Sequence, residues 1–269
     1  MPVSLQEIIS ATRRKLAEKR RNTSTHELER LAQSHSPRGF RQALQQRGEH
    51  ETAVIAELKK ASPSRGLIRA DFDVRQLAPE FEQAGAAALS VLTDQEYFQG
   101  SLADLQTVST TTSLPCLRKD FIVDEFQALE ARANRADAIL LIVAALSDSE
   151  LTKLRMRATE LHLDVLCEVH DAEELRRAAD LGFDLIGVNN RDLRTFQVDL
   201  NTALRLAESF PKPAVRVAES GIHSAHDLAK LRAAGYQAFL IGESLMKASS
   251  PKRALQELLT ELPKAVVVQ

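Results

Sequence analysis

Five short apolar runs in this sequence end in ionisable or amide side chains. The first passes from Ala53, Val54 and Ile55 into Glu57 and Lys59 within the string AELKKASPSRG. LPCLRKDF delivers Lys119, DVLCEV delivers Glu168, DLIGVNNRDL delivers Asn189 with Arg191 just beyond, and AVRVAESGI delivers Glu219 and Ser220. Charged side chains are costly to take out of water unless they are paired or put to chemical use. Lysines and glutamates gathered in one place supply proton donors, proton acceptors and a seat for an anion. Side chains alternate across a strand, so Glu57 and Lys59 share a face with Ile55, and Glu168 shares one with Leu166. Cys116 and Cys167 then face outward. Rim salt bridges would account for one such pair, but five strand ends at once point to a common site. A lysine with a lysine neighbour in a closed apolar mouth is expected to lose its proton more easily, making it a usable acid near neutral pH.

Two further stretches have the form of anion sites. Ser220-Gly221 and Gly242-Glu243-Ser244 place glycines where backbone N–H groups can approach a phosphate, and the string SLMK opens a short helix at the second.

The elements that must position these groups follow a regular beat. Runs rich in apolar residues begin near Ala53, Ala87, Leu114, Asp137, Asp164, Asp184, Ala214 and Gln237, separated by amphipathic stretches long enough for helices. The spacing averages about 26 residues, which suits a strand, a crossover helix and two short loops. Eight such units predict an α/β fold, a closed (β/α)8 TIM barrel, with a doubly wound open sheet as the structural rival. Asp171-Ala-Glu-Glu-Leu175 and Ser250-Pro251 read as helix starts. About 50 residues precede the first strand. There Ser4 with Glu7 forms a capping box, Val3 and Ile8 a hydrophobic staple, and Leu5, Ile8, Ile9 and Leu16 one apolar face. The basic string TRRKLAEKRR reads as a solvated face complementing the helix dipole rather than a nucleic-acid arm, since no aromatic residues are interleaved. A second helix is predicted from Ser36-Pro37, carrying Phe40, Ala43 and Leu44. The expected organisation is a single barrel domain over residues 1–269, with residues 1–50 as its helical extension.

Composition narrows the function. The 269 residues are 44% hydrophobic, enough for one large core. Thirty-five basic against 37 acidic residues give a net charge of -2, with no general attraction to nucleic acid or an anionic membrane. No apolar run approaches the ~20 residues of a membrane span, and MPVSLQEIIS lacks the order of a secretory signal, so a cytoplasmic location is the default expectation. Cys116 and Cys167 lie on separate strands, which argues against a disulfide. No Cys/His cluster is present, and His223 with His226 reads as solvated polar surface rather than a metal site.

AELKKASPSRG, ALSVLTD, FQGS, LRKDFIVD, ADAILLI, CEVHD, IGVNNRDL, AESGI and LIGESLM, in this order and spacing, resemble the indole-3-glycerol phosphate synthase family of tryptophan biosynthesis. The resemblance runs from about residue 3 to residue 262, and Glu57-x-Lys59-x-x-Ser62-Pro63-Ser64 is its most specific motif. It implies a lyase without cofactor or metal. The implied substrate is carboxyphenylamino-deoxyribulose 5-phosphate, a small sugar phosphate whose aryl carbon closes onto the ribulose C2 carbonyl before carbon dioxide and water leave. By matching position, Lys119 resembles the general acid of ring closure, and Glu168 the acid/base of dehydration. Lys59 resembles the lysine on the substrate carboxylate and is a second candidate for the acid. Glu57, Asn189 and Glu219 resemble orienting partners, and Arg191 the arginine of the aryl pocket. Ser62, Ser220, Gly221, Gly242 and Ser244 resemble the phosphate clamp. The resemblance further implies that Val3 to Leu44 lie over the barrel mouth, where their basic residues can steer an anion.

Asn134-Arg135 and Glu243 depart from the family's usual residues, with only a local loop effect expected. The chain ends at Gln269, which reads as a monofunctional enzyme, and both a monomer and a weak homodimer remain open. Two rivals stand beside this reading: another phosphate-binding barrel such as an isomerase or epimerase, and a catalytically silent barrel scaffold.

Overall fold

The computed structural model describes residues 4–261. Eight parallel strands close into a barrel: β1 (Ala53–Leu58), β2 (Ala88–Leu92), β3 (Cys116–Lys119), β4 (Ala138–Ile142), β5 (Asp164–Val169), β6 (Leu185–Asn189), β7 (Val215–Glu219) and β8 (Ala238–Ile241). They pair in sequence order, and β8 returns to β1 through Ala53 opposite Ala238. Each strand begins within two residues of the position its apolar run predicts. Period-two alternation divides the apolar residues into two cores. Ile55, Leu117, Leu166 and Val217 fill the barrel interior, while Val54, Cys116, Cys167 and Val188 pack under the surrounding helices. Both cysteines are buried and free, on the outward side.

The interior is layered. Glu57, Lys119, Glu168 and Glu219 come from β1, β3, β5 and β7, the alternate-strand pattern of a single barrel layer. Two residues earlier on the same strands stand Ile55, Leu117, Leu166 and Val217, all in the inner core. The layer at the C-terminal end is therefore charged and rests on an apolar one. Helix starts follow from local chemistry: the side chain of Asp171 caps helix Ala172–Asp180, and Ser250 caps helix Pro251–Thr260 with proline at its first position.

The N-terminal extension differs from its sequence reading. Helix α1 (Leu5–Asn22) has the Ser4–Glu7 capping box and buries Ile8 and Leu16; the Val3 half of the staple lies outside the described residues. The basic residues of α1 do more than face solvent. Arg13 binds Glu150 at 2.8 Å, Arg20 binds Asp124 at 3.0 Å, and Lys15 and Lys19 pair with Glu96 and Glu130. A helix absent from the sequence reading, α2 (Thr25–Ala32), is capped by the side chain of Ser24. The next helix, α3 (Phe40–His50), starts at Phe40 rather than at Ser36-Pro37. The intervening chain is taken up by His35 and Arg38, which reach the buried Asp137, and Gly39 makes the left-handed turn (φ 70°) into the helix.

Among the described residues of the extension, only α1 lines the mouth, through Leu5 and Ile8. Phe40 and Leu44 of α3 are fully buried in the inner core, and the Arg41 N–H donates to Asp164 at the start of β5, so α3 plugs the opposite end of the barrel. The expectation that residues up to Leu44 lie over the mouth is corrected accordingly. At Asn134-Arg135 the effect is local: Arg135 takes a left-handed conformation (φ 68°), which glycine adopts more cheaply.

Asp137 ties the extension to the barrel. Its carboxylate accepts from Arg38 Nη2 at 2.6 Å, from the Cys116 N–H at 2.6 Å and lies 3.0 Å from His35 Nε2. Burial disfavours its charge, but His35 and Arg38 outweigh it and hold its pKa below the usual aspartate value. Asp137→Asn should leave Arg38 uncompensated and cost ~3–5 kcal/mol in urea unfolding at pH 7. Because the folded pKa is depressed, the native advantage is complete above the unfolded value of about 4 and is lost as pH falls through the folded one. The gap between wild type and variant should therefore shrink in acid; a gap independent of pH would contradict the assignment.

Candidate active site

Twelve residues singled out from the sequence line one cavity of about 250 Å³ at the C-terminal end of the barrel: Glu57, Lys59, Ser62, Lys119, Glu168, Asn189, Arg191, Glu219, Ser220, Gly221, Gly242 and Ser244. Strand alternation explains the inward aim of those on β1, β3, β5, β6 and β7. The segments that follow β1 and β6 supply Lys59, Ser62 and Arg191, and the turns after β7 and β8 supply the rest.

Lys119 is the centre. Its Nζ lies 2.8 Å from Glu168 Oε2 and 3.2 Å from Glu219 Oε2, and both carboxylates are almost fully buried. Asn189 Nδ2 donates to Glu168 Oε1 at 3.2 Å, and Asn189 Oδ1 accepts from the Arg191 N–H at 3.0 Å. Glu57 and Lys59 form a second ion pair beside them. Sequence reasoning expected a lysine neighbour to weaken the grip of Lys119 on its proton. The structure reverses this: burial acts against the ammonium, but Glu168, Glu219 and Glu57 overcome it and hold the pKa above the usual lysine range. Lys119 is thus fully protonated at neutral pH. The neighbours that matter are the three glutamates of its own layer.

The glycine turns have more than one physical role. Ser220 and Gly221 are both left-handed, at φ 66° and 78°. Gly242 follows β8 without that strain, yet a Cβ there would sit 2.2 Å from Glu57 Oε2. The missing side chain makes room for the Glu57 carboxylate. Ser244 Oγ donates to the Ile222 carbonyl at 3.1 Å, joining the two turns. Ser62 lies in a two-residue antiparallel pairing with Gly66 beyond β1.

Glu243 corrects an expectation. It is no local loop feature: it lines the cavity and gathers Arg65 at 3.0 Å, Arg191 at 3.3 Å and Lys247 at 2.6 Å. The Arg191 guanidinium, held also by the Phe196 carbonyl at 3.2 Å, is therefore engaged at the glycine-turn end of the cavity. Leu5, Ile8, Phe98, Phe121, Leu140 and Leu193 form apolar walls. Sequence reasoning did not single these out as cavity residues, although Phe121 continues the parity of Lys119. His170 also escaped notice, despite sharing the parity of Leu166 and Glu168.

These features define a (β/α)8-barrel enzyme with acid–base groups at the ends of its strands. A model of the family described as indole-3-glycerol phosphate synthase matches residues 5–258. A protein of Koribacter versatilis named indole-3-glycerol phosphate synthase is 62% identical over 96% of this chain and all of its own length. One of Acidithiobacillus ferrooxidans with the same name is 50% identical, over 94% of this chain and 97% of its own. The chain belongs to the indole-3-glycerol phosphate synthase family. Among solved structures, a 3-hexulose-6-phosphate synthase superposes with a TM-score of 0.62 at 15% identity, over 79% of this chain and all of its own, a likeness of fold alone.

Gly242→Ala tests the packing argument. The added methyl should force Glu57 off Lys59, at a cost of roughly 1–3 kcal/mol typical of overpacking. The expected result is a lower thermal midpoint together with turnover about tenfold slower or worse; an unaltered midpoint and rate would refute the account.

Proposed function

We propose that this chain closes the indole ring of carboxyphenylamino-deoxyribulose 5-phosphate, with loss of carbon dioxide and water, as its family name implies. The observation that carries the reading is Lys119 Nζ shared between Glu168 and Glu219 above an apolar layer. Attack of the aryl carbon on the C2 carbonyl builds negative charge on the carbonyl oxygen. A donor fully loaded at neutral pH is what that step needs, and Lys119 has this property. Lys59 holds the anthranilate carboxylate until it departs as carbon dioxide. Glu168 then serves as acid/base while the C2 hydroxyl leaves as water and the ring nitrogen becomes conjugated. Glu57, Asn189 and Glu219 keep these groups oriented.

The phosphate is assigned to the end where Ser62, Ser220, Gly221, Gly242 and Ser244 meet Arg65 and Arg191, and the apolar walls receive the aryl ring. Arg191, its guanidinium engaged by Glu243 at the glycine-turn end, acts at the phosphate rather than at the aryl ring. Barrel and extension act as one working domain of a cytoplasmic enzyme. Among the described residues no helix is long and apolar enough to cross a membrane.

Purified protein mixed with the carboxyphenylamino sugar phosphate, without added metal or nucleotide, should develop indole fluorescence. Silence at high protein concentration would sink the reading and favour an isomerase or a scaffold. Lys119→Met and Glu168→Gln should each lower turnover by about 10²–10⁴-fold with the fold retained, the scale of a lost acid–base group. Ser244→Ala should mainly raise KM, by roughly tenfold for one lost hydrogen bond.

A further inference from the structure

The two glutamates on Lys119 are nearly equivalent by distance but not by surroundings. Glu168 Oε1 accepts from Asn189 Nδ2 at 3.2 Å and lies 3.3 Å from His170 Nε2. That histidine contact is an ion-pair approach rather than an aligned hydrogen bond, and Nε2 has no hydrogen-bond partner among the described residues. The other face of the ring is clamped: Nδ1 lies 2.9 Å from Glu174 Oε2, on helix Ala172–Asp180, and the His170 N–H donates to the same oxygen at 2.8 Å. Glu219 Oε1, by contrast, is buried with no partner among the described residues. It packs over Gly187, where a Cβ would be only 2.1 Å away. Gly187 pairs with Glu168 in the β5–β6 register and with Val217 in β6–β7. A side chain there would collide with the Glu219 carboxylate and crowd Leu166.

Charge counting sharpens the asymmetry. The groups facing one another are Glu57 and Lys59 from β1, Lys119 from β3, Glu168 and His170 from β5 and its end, Glu219 from β7, and Glu174 from the following helix. With His170 charged, that is four carboxylates against three cations. A buried cluster with one surplus negative charge retains a proton on one carboxyl.

We propose that His170 is a positioning residue that decides where this proton resides, keeping Glu168 ionised and leaving the proton on Glu219. A proton on Glu219 Oε1 displaces no donor, whereas one on Glu168 would confront donors already aimed at it. The electrostatics agree. Burial, reinforced by Glu168 and Glu57, pushes Glu219 up to about 7 in spite of Lys119. Burial also opposes the Glu168 charge, but Lys119 and His170 overcome it and lower its pKa. His170 itself is raised to about 10, since Glu168 and Glu174 outweigh its burial.

The inference rests on the reading of Glu168 as acid/base only for its consequence in turnover, so the primary test needs no reaction. The probe is ¹³C NMR titration of glutamate carboxyl carbons in the whole enzyme. In wild type one carboxyl should titrate near neutrality, and that signal should vanish in Glu219→Gln. In His170→Gln the neutral-range step should move up by about 1–2 units, the effect of losing a close opposite charge, and it should now depend on Glu168. His170→Lys restores the cation and should return the step toward its wild-type position. The kcat/KM profile for indole formation should follow the same order, with kcat about tenfold lower in His170→Gln and KM within about twofold.

A titration unchanged in His170→Gln, with only the thermal midpoint lowered, would reduce His170 to a structural role and overturn the proposal. Should His170→Gln not fold, the comparison of wild type with Glu219→Gln decides: a neutral-range signal that persists in Glu219→Gln overturns it too. Carboxyls that titrate as expected in a protein forming no indole would count against the function and not against this inference.

Discussion

An ammonium group taken almost out of water must be surrounded by negative charge, and this requirement organises the upper half of the barrel. Lys119 meets it with Glu168 and Glu219 in contact and Glu57 in the same layer. The four residues stand on alternate strands because barrel geometry sends inward side chains from alternate strands to one level. In most barrels that level is filled by branched apolar residues. Here it is charged, and the apolar filling of Ile55, Leu117, Leu166 and Val217 lies one step lower. The floor excludes water from below, strengthening each interaction above it. Gly187 and Gly242 belong to the same design. Each omits a side chain where a carboxylate of the charged layer needs space.

The extension serves this layer from both ends. Helix α1 brings Leu5 and Ile8 to the rim and fastens itself through basic residues to acidic ones beside the mouth. Exposed ion pairs of this kind contribute little to stability one by one. With Arg13 and Arg20 on one side of the helix and Lys15 and Lys19 on another, they nevertheless fix where it lies. Helix α3 closes the far end with Phe40 and Leu44, and the buried Asp137, His35 and Arg38 fasten the linker between the two. One segment of about 50 residues therefore covers the reactive end and seals the inert one. The two kinds of contact are suited to these tasks: partly exposed pairs allow a cover to move, whereas an apolar plug stays in place.

The barrel and the composition of its mouth were legible in the sequence because both are written in a period of two. Strand alternation put Glu57, Lys119, Glu168 and Glu219 inside with no knowledge of distance. The same rule continued to Phe121 and His170, where it was not applied because both lie just beyond their strands. Other features could not be read locally. Nothing in SHSPRGF shows that His35 and Arg38 would converge on Asp137 a hundred residues later, so the start of α3 was placed too early. The proton affinity of Lys119 was misjudged for a related reason. Sequence neighbours suggested a second lysine, whereas the groups that set its charge are separated along the chain and adjacent only once the strands close.

Such a layer is expensive to fold. Breaking a buried ion pair is strongly destabilising, yet replacing the whole set by well-packed apolar residues is often neutral or stabilising. Stability alone therefore gives no reason to keep three glutamates and a lysine where leucines would fit. With Lys59, His170 and Glu174 included, the cluster sets four carboxylates against three cations, which adds to the point. An even count of opposite charges could neutralise itself and settle into a fixed structural lattice. An uneven one leaves a proton without a predetermined owner, and small differences in hydrogen bonding decide which carboxyl holds it. Asn189 and His170 both stand on the Glu168 side, and Glu219 has only the gap above Gly187. Two carboxylates that began alike are pushed apart by their surroundings, one toward a base and the other toward an acid. That is the condition under which a single site can accept and donate protons in successive steps.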